Sequence, residues 1–229
     1  MKMGFLFFDF RSFDEEIERK LVSRKTDSEV LMQDLLLRLK EKQMESGDLR
    51  KIERLYQEVL RDDPSAKAAN NYLNHPIRVT ADLAGFCDKI DYELMVLGLC
   101  HNLKEKMGDR FKEVGEEWFP SKVRQSIELL TIDRAQETDG KYLEKFYSGI
   151  ASGPEKLMLL KALDKLDNTL SWVLFDVKAY EPKVILDYVC PRIAAGYPRF
   201  ERYLRELTHY VLTDAAKNKF RVINTAAAK

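Results

Sequence analysis

Long apolar runs are missing from this sequence. No stretch of its 229 residues approaches the roughly 20 consecutive apolar residues that a membrane span needs. A charge surplus is missing too. Lysine plus arginine and aspartate plus glutamate both number 38, so the formal net charge is zero. A broad electrostatic grip on nucleic acid needs a cationic excess and is not expected, although a zero sum leaves room for a local patch. Cysteine is scarce: Cys87, Cys100 and Cys190 are odd in number, widely scattered and without a CxxC pair. The expected state is three buried free thiols in a reducing cytosol. The opening "MKMGFLFFDFRSF" has too short an apolar run for a signal peptide and no small-residue cleavage site. Together these absences predict a soluble, cytoplasmic protein with no membrane partner and no nucleic acid.

Strand-like alternation is almost absent as well, and no repeat of fixed period occurs. What remains is helical periodicity, and the expected fold class is all-α. The length suits one sizeable domain, or a domain with an appendage, and allows a substantial core. "FDEEIERKLVSRK" reads as a charged helix. Asp27 or Ser28 can cap "EVLMQDLLLRLKEKQ", where Leu31, Leu35 and Leu39 share a face. "SGD" (residues 46–48) reads as its break. Leu49, Ile52, Tyr56, Val59 and Leu60 then mark an amphipathic helix stopped by Pro64.

From "NYLNHPIRVTADLAGF" onward the helices turn more apolar. Asp91 begins "DYELMVLGLCHN", whose Leu94 to Cys100 carry no polar side chain and are expected to be inaccessible. A loop with Gly108, Gly115 and Pro120 leads to "SKVRQSIELLTI". "GKYLEKFYSGI" is a short helix ended by "ASGP". Ser152 and Pro154 then open a long helix, "PEKLMLLKALDKLDNTLSWVLFDV", with proline at its favoured first position. "YPRFERYLRELTHYVL" is amphipathic.

Only three histidines are present. His209 lies among aromatics on the last amphipathic helix and reads as a partly buried structural residue. His75 and His101 differ, because each opens or closes an apolar helix in polar company. On the long helix, Asp164 and Asn168 are four apart and so share a face with Leu157 and Phe175, with Asp167 nearby. A carboxylate on an apolar face is costly unless paired or metal-bound. The packing account is an ion pair with a cation from another helix, Lys161 or Arg78. The chemical account gathers His75, His101 with Asn102, and Asp164 from three helices into a set suited to a divalent transition metal. Such an ion activates water and neutralises phosphate charge. Glu105, four residues after His101, falls on the same side and is placed to orient that water.

Three blocks carry a family resemblance. "YLNHPIRVTADLA", "GLCHNLKEK" and "LLKALDKLDN" follow one another in an order and spacing that resemble the HD-domain phosphohydrolases, and within them the RelA/SpoT-type alarmone hydrolases. The likeness runs from about Tyr72 to Trp172. It implies an HD-like helical domain over residues 66–229, with residues 1–65 as a helical extension. It also implies His75, His101, Asn102 and Asp164 as ligands of manganese or another divalent transition metal, and Glu105 as the water-orienting acid. Lys161, Lys165 and Asn168 would line the substrate side. The reaction implied is removal of phosphate or pyrophosphate from a nucleotide such as guanosine tetraphosphate.

The chain departs from that pattern at three points. Asn102 stands where the family has an aspartate, Lys106 where it has a second acid, and Ala66–Lys67 where the alarmone branch has an arginine. The first two remove or reverse charge near the cation and so weaken it. The resemblance therefore implies an impaired hydrolase, or a non-catalytic relative that binds a nucleotide, a protein partner or a second copy of itself. Lys104, Lys106, Lys161 and Lys165 suit phosphate binding without hydrolysis, and equally an ordinary solvated face.

Overall fold

The computed structural model describes residues 8–61, 72–154 and 156–226, with backbone only for 222–226. Every regular element among them is helical. No helix among the described residues is long and apolar enough to cross a membrane. The chain divides into two compact units, one holding Ser23–Asp133 and the other Phe8–Val22 together with Arg134–Lys229.

In the first unit, α2 (Ser28–Glu41) starts at Asp27, whose carboxylate accepts from the Glu29 amide at 2.7 Å. That bond satisfies one of the orphan donors of the first turn. Leu31, Met32, Leu35 and Leu39 form its buried stripe. The helix does not break at 46–48 as the sequence suggests. It ends because Gln43 turns into the left-handed region (φ 64°), and Ser46–Gly47–Asp48 is the first turn of α3 (Ser46–Leu55). A π-helical turn at Tyr56–Leu60 follows, with Ile52, Leu55, Tyr56, Val59 and Leu60 buried. Pro64, Ala66 and Lys67 lie outside the described residues.

The centre of this unit is α4 (Asn74–Phe86), on which every residue from Pro76 to Ala84 is buried. It packs against α2 and against α5 (Tyr92–Cys100). Asp91 caps α5 by accepting from the Leu94 amide at 2.8 Å. Met95 to Cys100 are buried, whereas Leu94 is only half-buried because it belongs to the exposed first turn. Two short helices follow, α6 (Leu103–Met107) and α7 (Arg110–Trp118), and then α8 (Ser121–Leu130), which covers α5 with Val123, Ile127 and Leu130.

The second unit begins with α1 (Phe13–Lys25), which extends into it as far as Val22. Phe8, Phe10 and Phe13 surround the Tyr203 ring at centroid distances of 4.9, 5.7 and 5.0 Å. Offset and edge contacts of this kind stabilise beyond their buried area. Asp14 accepts from Tyr210 at 2.5 Å and from Lys219 at 2.6 Å, and those bonds hold its carboxyl below the usual aspartate range. Asp139 caps α9 (Gly140–Ala151).

Next comes α10 (Leu157–Thr169), shorter at both ends than the sequence suggests. The Leu157 amide donates to Pro154 O at 2.9 Å, so Pro154 lies ahead of the helix and not at its first position. At the far end the chain tightens into a 3-10 turn, Trp172–Leu174. Phe175 consequently leaves the Asp164 face and is 50% exposed. A helical run over 181–193 (α11) contains a second π-helical stretch, Val184–Val189. The last two helices are α12 (Pro198–Tyr210) and α13 (Asp214–Ala226). His209 is exposed on α12, not partly buried.

Buried ions tie α1 to α10. Lys20 pairs with Asp167, both almost wholly inaccessible, and Glu16 pairs with Arg19 at 2.6 Å beside them. Removing one partner of such a pair leaves an uncompensated buried charge. Lys20→Met is expected to lower stability by about 3–5 kcal/mol, read as a shift of the urea midpoint. Lys20→Met combined with Asp167→Leu should recover most of that loss, since two apolar groups leave no charge behind.

Candidate metal centre

Two imidazoles meet in the first unit. His75 sits in the first turn of α4, next to Pro76, whose missing N–H costs nothing there. The start of that helix is anchored by Asn74, whose side-chain amide donates to Ser23 O at 2.9 Å and Thr26 O at 2.8 Å. His101 follows the last residue of α5 and is 2% exposed. Its Nδ1 donates to Gly98 O at 2.6 Å, so the ring satisfies one of the carbonyls that a helix end leaves open. That bond places the proton on Nδ1 and makes Nε2 the ring's acceptor, which faces His75 Nε2. The Nε2 atoms of His75 and His101 stand 3.3 Å apart, with ring centroids at 5.2 Å and planes inclined at 64°.

This separation is made possible by a glycine. A Cβ on Gly98 would meet Thr80 Oγ1 at 2.7 Å and the Thr80 Cα at 3.3 Å. Thr80 cannot easily swing away, because its hydroxyl donates to Pro76 O at 2.7 Å. α4 and α5 therefore run in close contact at the point from which both histidines are held.

Asp164 lies in the middle of α10 and is 3% exposed. Its carboxylate accepts from Asn168 Nδ2 at 2.9 Å and pairs with the Lys161 ammonium at 3.1 Å. The ion pair foreseen for Asp164 thus exists with Lys161, which lies on the same helix, three residues away. Asp167, near it in sequence, is taken by Lys20.

His75 and His101 of the first unit and Asp164 of the second are residue types that could hold a metal ion. The donor set fits a divalent transition ion. With metal–nitrogen bonds of about 2.1 Å, nitrogens at neighbouring vertices lie about 3.0–3.4 Å apart, and the two Nε2 atoms match this. Glu105 is not a member of the group; it is half-buried on α6. Asn102 is half-exposed at the start of α6 and its side chain makes no capping bond there. Lys165 is half-exposed and Asn168 exposed on α10. Lys104 pairs with Glu128, and Lys106 reaches over the Tyr72 ring at 5.0 Å from its centroid. The thiols contribute nothing: all three cysteines are free and buried, and burial pushes the Cys100 and Cys190 thiols up, so they stay protonated.

No protein-family model, no curated protein and no solved structure matches the chain. Fold and site define it as an all-helical protein with a close pair of histidines in its first unit.

Cobalt(II) added to the full chain should give visible d–d bands, and His101→Ala or Asp164→Ala should remove them while thermal unfolding stays cooperative. A spectrum indifferent to both substitutions counts against the group. Gly98→Ala should destabilise the chain by about 1–3 kcal/mol through overpacking. It should also weaken cobalt binding, because the added methyl pushes apart the helices that carry the two rings.

Proposed function

We propose that the chain is a metal-dependent phosphohydrolase-like protein of the HD type. In this reading it acts on a nucleotide or nucleotide pyrophosphate such as guanosine tetraphosphate, with activity lowered by Asn102 and Lys106. The observation that carries the reading is the 3.3 Å approach of the His75 and His101 Nε2 atoms, with His101 held in the ligand tautomer by Gly98 O. His75, His101 and Asp164 would hold the ion, manganese by the family resemblance, and Asn102 would add a neutral carbonyl oxygen. Bound there, a divalent ion supplies Lewis acidity and offsets phosphate charge. Glu105 orients the attacking water and takes its proton. Lys161, Lys165 and Asn168 face the phosphates or the nucleoside, and Lys161 also sets the charge of Asp164.

A second reading, a non-catalytic binder of a nucleotide or protein partner, has one observation in its favour. The Lys161 ammonium already balances the Asp164 carboxylate, so the buried charge does not require an ion. The two readings separate experimentally. Asn102→Asp should raise manganese affinity on the order of tenfold or more by adding one anionic oxygen near the cation, and should increase turnover of guanosine tetraphosphate. Asn102→Asp with Lys106→Asp should go furthest, since it supplies both missing carboxylates. If both variants stay folded yet neither binds manganese nor hydrolyses any nucleotide, the hydrolase reading is lost. Nucleotide binding by the unaltered chain would then favour the second.

A further inference from the structure

Within the first unit, α2 is apolar on two sides. Leu31, Met32, Leu35 and Leu39 are buried where the helix packs on α3 and α4. On the other side, Val30 and Leu37 are 43% and 56% exposed. Seven residues apart, they lie on one line along the helix. Scattered exposed apolar residues are ordinary, but these two border an open groove whose surface is almost wholly apolar and whose other walls are Glu29, Gln33 and Asp34. Residues 30, 33, 34 and 37 stand at i, i+3, i+4 and i+7. That is the four-cornered hole which one helix offers to an apolar knob of a facing helix. Its walls all belong to α2, so a side chain that fills it comes from another helix.

Charge selects which helix. Glu29 and Lys40 flank the Val30–Leu37 line on one side, and Asp34 and Arg38 flank it on the other. On both flanks the acid precedes the base. A second copy laid antiparallel across a two-fold axis brings like flanks together with their order reversed. With Leu37 of each copy in the hole of the other, Glu29 comes opposite the second copy's Lys40, and Asp34 opposite its Arg38. One register therefore seats both leucines and matches every one of these charges with its opposite. A parallel copy would instead set Arg38 against Lys40 and Glu29 against Asp27. Flanking charges of this kind decide partner and orientation more than affinity. The contacts these groups already make leave them able to take part. Arg38 stands 3.8 Å from Asp34, and Glu29 accepts from Gln57 at 3.0 Å with Arg61 at 3.9 Å, which leaves a carboxylate further acceptor positions.

We propose that α2 is a self-pairing helix: two copies of the chain associate antiparallel along Val30 and Leu37, each Leu37 seated between Val30, Gln33, Asp34 and Leu37 of the other copy. A single helix pair covers less surface than an obligate dimer, so the association is reversible and depends on concentration. It is independent of the hydrolase reading, since α2 carries none of the residues assigned there.

The test is sedimentation equilibrium of the full chain over two decades of concentration, where the average mass should climb from one chain towards two. Leu37→Asp should unfold at nearly the same temperature, because the side chain is exposed, and should weaken the dimer by about tenfold or more. Orientation is read by cross-linking. The three native cysteines are buried, so an introduced surface thiol reacts in their place. Gln33→Cys mixed with Leu37→Cys should form a disulfide-linked pair faster than Leu37→Cys does with itself, since only the antiparallel register sets 33 beside 37. The reverse order means parallel pairing and overturns the proposal. A dimer indifferent to Leu37→Asp overturns it too, because the copies then meet elsewhere. A chain that stays single at every concentration also overturns it, and the groove then belongs to a helix of a different protein.

Discussion

The close passage of α4 over α5 at Gly98 is the constraint from which the histidine pair follows. At 2.7 Å from a hypothetical Cβ, Thr80 leaves no room for any side chain but hydrogen. The same glycine supplies the carbonyl that fixes the His101 tautomer. One residue therefore sets both the distance between the helices and the direction of a lone pair. Rigid elements carry a ligand constellation more accurately than loops do, and here the rigidity comes from a helix buried on all sides except its ends. The polar groups sit at those ends because only there does a helix have unpaired backbone groups to anchor them.

Charge around Asp164 is arranged by a different principle. An isolated carboxylate in the interior would be forced towards its neutral form. For Asp164, the Lys161 ammonium and the Asn168 amide offset that cost without any ion. Lys161 is thus both a neighbour and a rival of whatever cation approaches the carboxylate. Deeper on the same helix, Asp167 is committed to Lys20, so α10 carries two aspartates three residues apart with different cationic partners.

Much of the helical layout was legible from the residues. The leucines at 31, 35 and 39 are spaced for one face, and Asp27 and Asp91 are short acceptors placed just before apolar runs. Where reading failed, local backbone geometry had won. Pro154 looks like a first-turn proline, yet a preceding i→i+3 turn uses it. Gln43, with no sequence mark of a left-handed residue, ends α2 before the glycine that seemed to do so. Of the site, the two histidines and Asp164 stood out because polar groups interrupt apolar helices. Gly98 was not singled out, although a lone glycine inside an apolar helix is a mark of close backbone approach. Lys20 and Asp167 are 147 positions apart, and no local pattern couples them.

The composition of the second unit also determines when it can form. Its first strip, Phe8–Val22, is separated from the rest by the whole of Ser23–Asp133. Asp14 finds Tyr210 and Lys219 across 196 and 205 positions. During synthesis Ser23–Asp133 is complete in one continuous piece, whereas Ile17, Leu21 and the buried ions of α1 must wait until α10 and α12 have emerged. Contacts that close such large loops are slow to make, and apolar surface left waiting is prone to mispairing. The order of emergence from the ribosome thus leaves α1 without its partners until helices made after Ser23–Asp133 have appeared.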